Sequence, residues 1–265
     1  AKALYCWTNF GRGQVTRHFR LDDGRQTLVL AAHGDRLPQV VYWGAPLPAN
    51  EDLPILHAAH AIDVTGGMLD ANPDLSICPE ATHSFPGQPG LILRSADGTL
   101  LRPKFRFKSA EQTQSALVLV FEDSASLLTY TARFETNPRT HVITAQAVIE
   151  AQTPVHLDWL AAPVLPAPQL ADDMIDFAGR WCGEFQMNTT PWSAGMRYRE
   201  NRTGRTGHEH FPGLIVPCTG ATNTQGEAYG FHYGWSGGHR MIAEELQDGR
   251  RQIQWGHAAR METEP

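Results

Sequence analysis

Lysine is almost missing from this 265-residue chain: Lys2, Lys104 and Lys108 are its lysines, and 28 acidic residues against 22 basic ones leave a net charge of −6. No basic stripe forms along any segment, which excludes nucleic acid as an expected partner. No apolar run approaches the roughly 18 residues that a membrane helix needs, so no membrane partner is expected either. The first residues lack a charged head followed by an apolar core, so no secretory signal is read and a cytoplasmic location is the expectation. Cys6, Cys78, Cys182 and Cys218 lie far apart and form no C-x-x-C pair. Four reduced, mostly buried thiols are the reading, with no metal and no cofactor expected. Helical spacing is scarce as well. Leu170 through Phe177 has it approximately, and that segment reads equally as a short helix or a turn.

What remains is a globular composition, 42% hydrophobic and 19% charged, in a chain long enough to bury a core without disulfide or metal staples. Alternating and Val-rich segments dominate. Gln26–Leu30 leads to a reversal at His33-Gly34-Asp35, and Pro38–Trp43 returns, ended by Gly44. Ala116–Phe121 is a short apolar run; Leu127–Phe134 and Thr140–Ile149 alternate. Turn signals separate them at Asp97-Gly98, Asn137-Pro138 and Asp248-Gly249. This pattern predicts an all-β fold of antiparallel sheets, a sandwich or a barrel, with little helix. The Pro- and Ala-rich stretch Ala161–Pro168 reads as a loop inside one domain spanning residues 1–265. Ala45 to Gly90 stands apart. It is rich in Pro, His, Asp and Gly, shows little alternation, and reads as a long functional loop.

Several short blocks then occur in a fixed order. They are Tyr42-Trp43-Gly44, Leu69-Asp70, the Gly87–Gly90 turn, Gly179-Arg180-Trp181-Cys182-Gly183-Glu184, Glu200–His208 and Gly226–Phe231. Together the blocks resemble the amino-terminal domain of α-galactosidases of glycoside hydrolase family thirty-six, from about Leu28 to Gly256. The resemblance implies a large two-sheet antiparallel β-supersandwich. It also implies a following (β/α)₈ barrel on the same polypeptide, whose strand ends carry two aspartates for retaining hydrolysis of terminal α-D-galactosides. No βα alternation appears before Pro265, so no residue of this chain receives a catalytic role. The expected partners are that barrel, a galactoside reached indirectly, and further copies in a homo-oligomer.

The resemblance also suggests site residues. In family oligomers the region around residues 45–70 reaches a neighbouring subunit's sugar site, which makes Asp52 a substrate-binding candidate, its carboxylate suited to sugar hydroxyls. Trp181 and Glu184 match a Gly-x-Trp-x-x-Glu turn, read as core packing of the indole with the carboxylate accepting backbone hydrogen bonds. His208 matches the histidine of an Arg-Gly-x-x-His loop, from which Glu209 and His210 depart, and Arg205 and His208 are read as structural or interfacial. Glu200, Arg202 and Arg205 are expected to form loop ion pairs. His208-Glu209-His210 looks metal-like, but no further ligands lie nearby in sequence. Two rival functions are a free-standing carbohydrate-binding module, which needs an exposed aromatic platform, and a mutarotase-like epimerase. The epimerase needs a His and a carboxylate in one cleft, for which His208, His210 and Glu184 are the available set.

Overall fold

The structure, a computed structural model, describes residues 8–9, 15–61 and 73–258. The chain divides into two compact units, Ala1–Phe85 with Ser95–Val155, and Pro86–Arg94 with His156–Pro265. Cys6 and the Leu69-Asp70 block lie outside the described residues.

In the first unit, β1 (Thr8–Asn9), β2 (Val15–Asp22), β3 (Thr27–His33) and β4 (Gln39–Gly44) form an antiparallel sheet in that order. Helix α1 (Leu53–His60) follows. Strand β5 (Leu91–Ser95) lies where the chain crosses between units. A meander then runs through β6 (Arg106–Gln112), β7 (Ala116–Asp123), β8 (Leu128–Asn137) and β9 (Val142–Ala151).

Alternation decides which side chains enter the core. Leu117, Leu119 and Phe121 of β7 are buried, as are Leu128, Tyr130, Ala132 and Phe134 of β8, while their neighbours face outward. Side chains two residues apart in a strand share a face, so each strand contributes one apolar row. Strand β3 is different, being apolar and buried on both faces. One face carries Leu28 and Leu30, paired with Leu21 and Phe19 of β2. Arg17 lies on that face and sets its guanidinium 4.2 Å over the Phe107 ring of β6. The other face presents Val29 and Ala31, which cluster with Val41 under Leu53 and Leu56 of α1. A strand covered twice has no polar row, which is why it reads as a continuous hydrophobic run.

The second unit is a sandwich. After β10 (Val155–Leu160), which pairs with β5, come β11 (Leu165–Pro166), β12 (Asp173–Arg180), β13 (Gly183–Pro191), β14 (Gly195–Asn201), β15 (His210–Pro217), β16 (Ala228–His232), β17 (His239–Glu245) and β18 (Arg251–His257). Two four-stranded antiparallel sheets result, ordered β13-β12-β15-β16 and β11-β18-β17-β14. Met174, Leu214 and Val216 of the first meet Met241, Ala243, Ile253 and Trp255 of the second. Each Met, Leu, Val or Ile side chain among them stabilises the fold by about 1.5–3 kcal/mol when fully buried.

The all-β antiparallel sandwich class expected from alternation is the one adopted. Two local readings are corrected. Residues 45–90 are not helix-free, since α1 occupies Leu53–His60 and a 3₁₀ turn occupies Ala81–His83. Leu170–Phe177 is not helical: Leu170 lies in a turn, and the rest leads into β12. Its apolar residues fall on both faces of a strand, with Met174 inward beside Asp176 and Ile175 and Phe177 outward, and this mimics helical spacing. Among the described residues, no helix is long and apolar enough to cross a membrane.

Candidate functional site

Helix α1 is short and held at its first turn. The Asp52 carboxylate accepts a hydrogen bond from the Ile55 N–H at 3.1 Å, and Pro54 sits where its missing N–H costs nothing. The sequence candidate Asp52 is thus the N-cap of α1, exposed at its start.

Beneath α1 lies a group that sequence reasoning missed. Register puts His18 of β2 opposite Ala31 and His33 of β3 opposite Thr16, so both face the helix along with Val29 and Ala31. His57 points down from α1 to meet them, its ring 4.5 Å from that of His33 and 5.4 Å from that of His18. Gln39 of β4 approaches His57 Nε2 at 3.4 Å. His18 and His57 are buried, and neither ring nitrogen of His18 has a hydrogen-bond partner. Burial, then the charge of His33, lowers the pKa of His18. For His57, burial followed by the charges of His33, His18 and His60 brings it to about 4. These imidazoles are therefore neutral at pH 7. Residues 18, 33 and 57 are too far apart in sequence to signal the cluster.

In the same unit Glu80 accepts from the Phe105 N–H at 2.7 Å. Burial raises its pKa to about 7 despite that bond. Three Cys are described, all free: Cys78 is buried, Cys218 intermediate and Cys182 exposed.

The second unit brings three of the predicted residues together at the β12–β13 hairpin. Arg180 pairs with Gly183, leaving Trp181 and Cys182 as a two-residue turn in which Cys182 has φ of 60°. Gly179 permits it, since a Cβ there would lie 2.3 Å from the Gly183 carbonyl. Glu184 accepts from the Cys182 N–H at 3.1 Å. The Glu184 pKa is lowered, first by its own backbone N–H and next by that of Cys182. His208 Nδ1 stands 3.6 Å from Glu184 Oε1, with its ring edge-on to the Trp181 indole at 5.5 Å. Trp181 is not core filling, being 73% exposed.

Arg205 does not join that group. Its side chain is exposed, and its carbonyl accepts from Asn201 Nδ2 at 2.8 Å. Nor does it pair with Glu200, which instead bonds Arg202 and, at 2.6 Å, Arg240 of β17. Burial alone would raise the Glu200 pKa, but hydrogen bonds from Arg240, Tyr198 and Arg202 outweigh it and the net shift is downward. His210 of β15 lies opposite Ala178 of β12. Burial and the Arg199 charge depress its pKa. Asp176 is buried on the inner face of β12 and bonds two arginines of the opposing sheet, Arg197 at 2.7 Å and Arg199 at 3.2 Å. Among the described residues no group of three or more His, Cys, Asp and Glu is arranged to hold a metal ion.

Comparison with known proteins gives this geometry a family. The family model "Glycosyl hydrolase family 36 N-terminal domain" matches residues 36–262. The chain is 31% identical over 245 residues to an alpha-galactosidase of Escherichia coli, covering 91% of this chain and 33% of that protein. It is 28% identical over 148 residues to alpha-galactosidase AgaA of Geobacillus stearothermophilus, covering 55% of this chain and 20% of that protein. Among solved structures, a variant of that AgaA in complex with stachyose superposes with a TM-score of 0.78 at 22% identity, covering 91% of this chain and 37% of the AgaA chain. The alpha-galactosidase from Lactobacillus brevis gives 0.76 at 17% identity, with 94% and 37% covered. These superpositions establish a shared fold, and this chain spans a third or less of the curated relatives it matches. By the match across residues 36–262, the chain belongs to the glycosyl hydrolase family 36 N-terminal domain family.

Proposed function

We propose that this chain is the non-catalytic N-terminal part of a retaining α-galactosidase that releases terminal α-D-galactose from oligosaccharides. Both compact units act as one domain in this reading. A catalytic barrel on the same polypeptide carries the two reacting carboxylates, and the complete enzyme is a cytoplasmic homo-oligomer. The observation that carries the reading is the 31% identity across 91% of this chain to an alpha-galactosidase of which it covers 33%.

The surroundings of the four carboxylates at the sites described above are consistent with it. A retaining glycosidase needs two carboxyl groups roughly 5–5.5 Å apart, one a nucleophile and the other a proton donor. Asp52 is occupied as a helix cap, Asp176 by two arginines, Glu200 by Arg240 and Arg202, and Glu184 by backbone N–H groups. Each of these four is held in place by local partners. In this proposal α1 presents Asp52 to the galactose of a neighbouring subunit. The Trp181–Glu184–His208 tip and Arg205 shape a contact surface.

The test is hydrolysis of an aryl α-galactoside by the complete polypeptide and by residues 1–265 alone. Turnover is expected from the complete polypeptide only. Turnover by residues 1–265 overturns the division of labour, and no turnover by the complete polypeptide overturns the activity.

A further inference from the structure

We propose that the outward face of the β13-β12-β15-β16 sheet is the seat on which the rest of the same polypeptide docks. The inference rests on the reading above that a further domain follows.

Register defines the face. Phe177 pairs with Met187, and Ile175 pairs with Ile215, so these side chains point away from the buried Met174 and Asp176. The row continues along β13, the sheet's edge strand, and it is left open: Met187 is 64% and Phe185 59% exposed, leading to Trp181 at the tip. Phe185 holds φ of 57°, a left-handed conformation that a bulky residue adopts only at a cost of about 1–3 kcal/mol. The twist accompanies a ring packed on Phe177 at 5.2 Å and on Phe211 at 4.8 Å. Gly230, opposite Ile215, leaves a gap in the face, because a Cβ there would meet nothing within 4 Å. A glycine at an outward strand position marks a place where another chain segment can approach closely. An open row of Trp, Phe and Met along one edge of the face, with a gap at its opposite edge, has the composition of an interface centre, and soluble surfaces rarely leave one bare.

Size argues for the occupant. In the solved relatives this fold accounts for 37% of the chain, so the greater part of each polypeptide is further protein attached to it. A covalently attached domain is present at high effective concentration and needs no second copy to find the face. Glu184 and His208 stand at the edge of the row, their side chains half-exposed, where a polar rim belongs.

The test compares two methionines of one molecule. Met187 lies on this face, and Met196, 47% exposed, lies on β14 in the other sheet. The complete polypeptide is oxidised by hydroxyl radicals across a range of protein concentrations, and each site is quantified by peptide mass spectrometry. If the face is docked, Met187 oxidises about tenfold or more slowly than Met196 at every concentration, because oxidation follows exposure. Oxidation of Met187 at or above the rate of Met196 overturns the proposal. So does protection that appears only as concentration rises, which signals a second copy, or only on adding an α-galactosyl oligosaccharide, which signals a sugar platform. Protection without α-galactoside hydrolysis keeps the docking face and removes the activity. Hydrolysis without protection does the reverse.

Discussion

Replacing His57 by Phe should make the fold less sensitive to acid. In the folded chain the His57 pKa is held to about 4, against 6.5 for a free imidazole, and the residue is buried. The unfolded chain therefore takes the proton first as pH falls. The stability linked to His57 is complete above pH 6.5, declines as pH drops through that value, and is fully lost below the folded pKa. The whole difference is worth about 3 kcal/mol, of which about 2 kcal/mol is gone by pH 5. Phe keeps a ring beside His18 and His33, and loses the 3.4 Å approach of Gln39. Absolute stability at neutral pH then shifts by an amount common to both pH values, so the informative quantity is a difference of differences. Urea unfolding at pH 7.5 and pH 5, with the slope checked for constancy, should give a stability loss on acidification that is about 2 kcal/mol smaller in His57→Phe than in the parent. Titrating groups that do not act on His57, Glu80 among them, contribute equally in both proteins and cancel. Equal losses in the two proteins would refute the claim that this imidazole is buried uncharged under α1.

Three other perturbations have defined outcomes. Glu80 works in the opposite sense: its folded pKa is raised to about 7, so its penalty is absent below the unfolded pKa and grows as pH rises toward 7. Glu80→Gln keeps an acceptor for the Phe105 N–H and should be more stable than the parent at pH 8, with the gain fading toward pH 4.5 in thermal melts. Asp176→Asn leaves Arg197 and Arg199 without their shared counter-charge between the sheets of the second unit. It should cost about 3–5 kcal/mol in urea unfolding, and a cost under ~1 kcal/mol would contradict the pairing described. Asp52→Asn retains a helix-capping oxygen while removing the charge, so stability should stay within about 0.5 kcal/mol. In the complete enzyme it should raise KM or lower kcat several-fold, and unchanged kinetics would remove Asp52 from substrate contact.

Strands whose two faces differ are legible in the amino-acid sequence alone. Strand β8 alternates because one row meets the core, β7 reads as a short apolar run although its burial alternates, and both sequence runs lie within a few residues of the observed ends. Helix α1 is not legible, because Leu53–His60 has a proline at its second position and spans barely two turns, too few for a period of 3.6 to emerge. The acid that signals its start, Asp52, reads as a ligand instead. Motif order brings out Trp181, Glu184 and His208, which do converge, but it carries no sign that the indole points outward. Nor does it separate Arg205 from Glu200, whose real partner Arg240 lies across the β14–β17 pairing. The histidines under α1 are invisible for a similar reason. Their meeting depends on strand register and on a helix folding back, and neither leaves a local trace in the sequence.

The central claim is that the reacting carboxylates lie outside this chain. Trapping the covalent glycosyl–enzyme intermediate tests it most directly. The complete polypeptide is treated with a slow, activated α-galactoside that leaves a galactosyl ester on the nucleophile, and the labelled peptide is sequenced. The account predicts an ester on a carboxylate beyond Pro265; an ester on any Asp or Glu within residues 1–265 would contradict it.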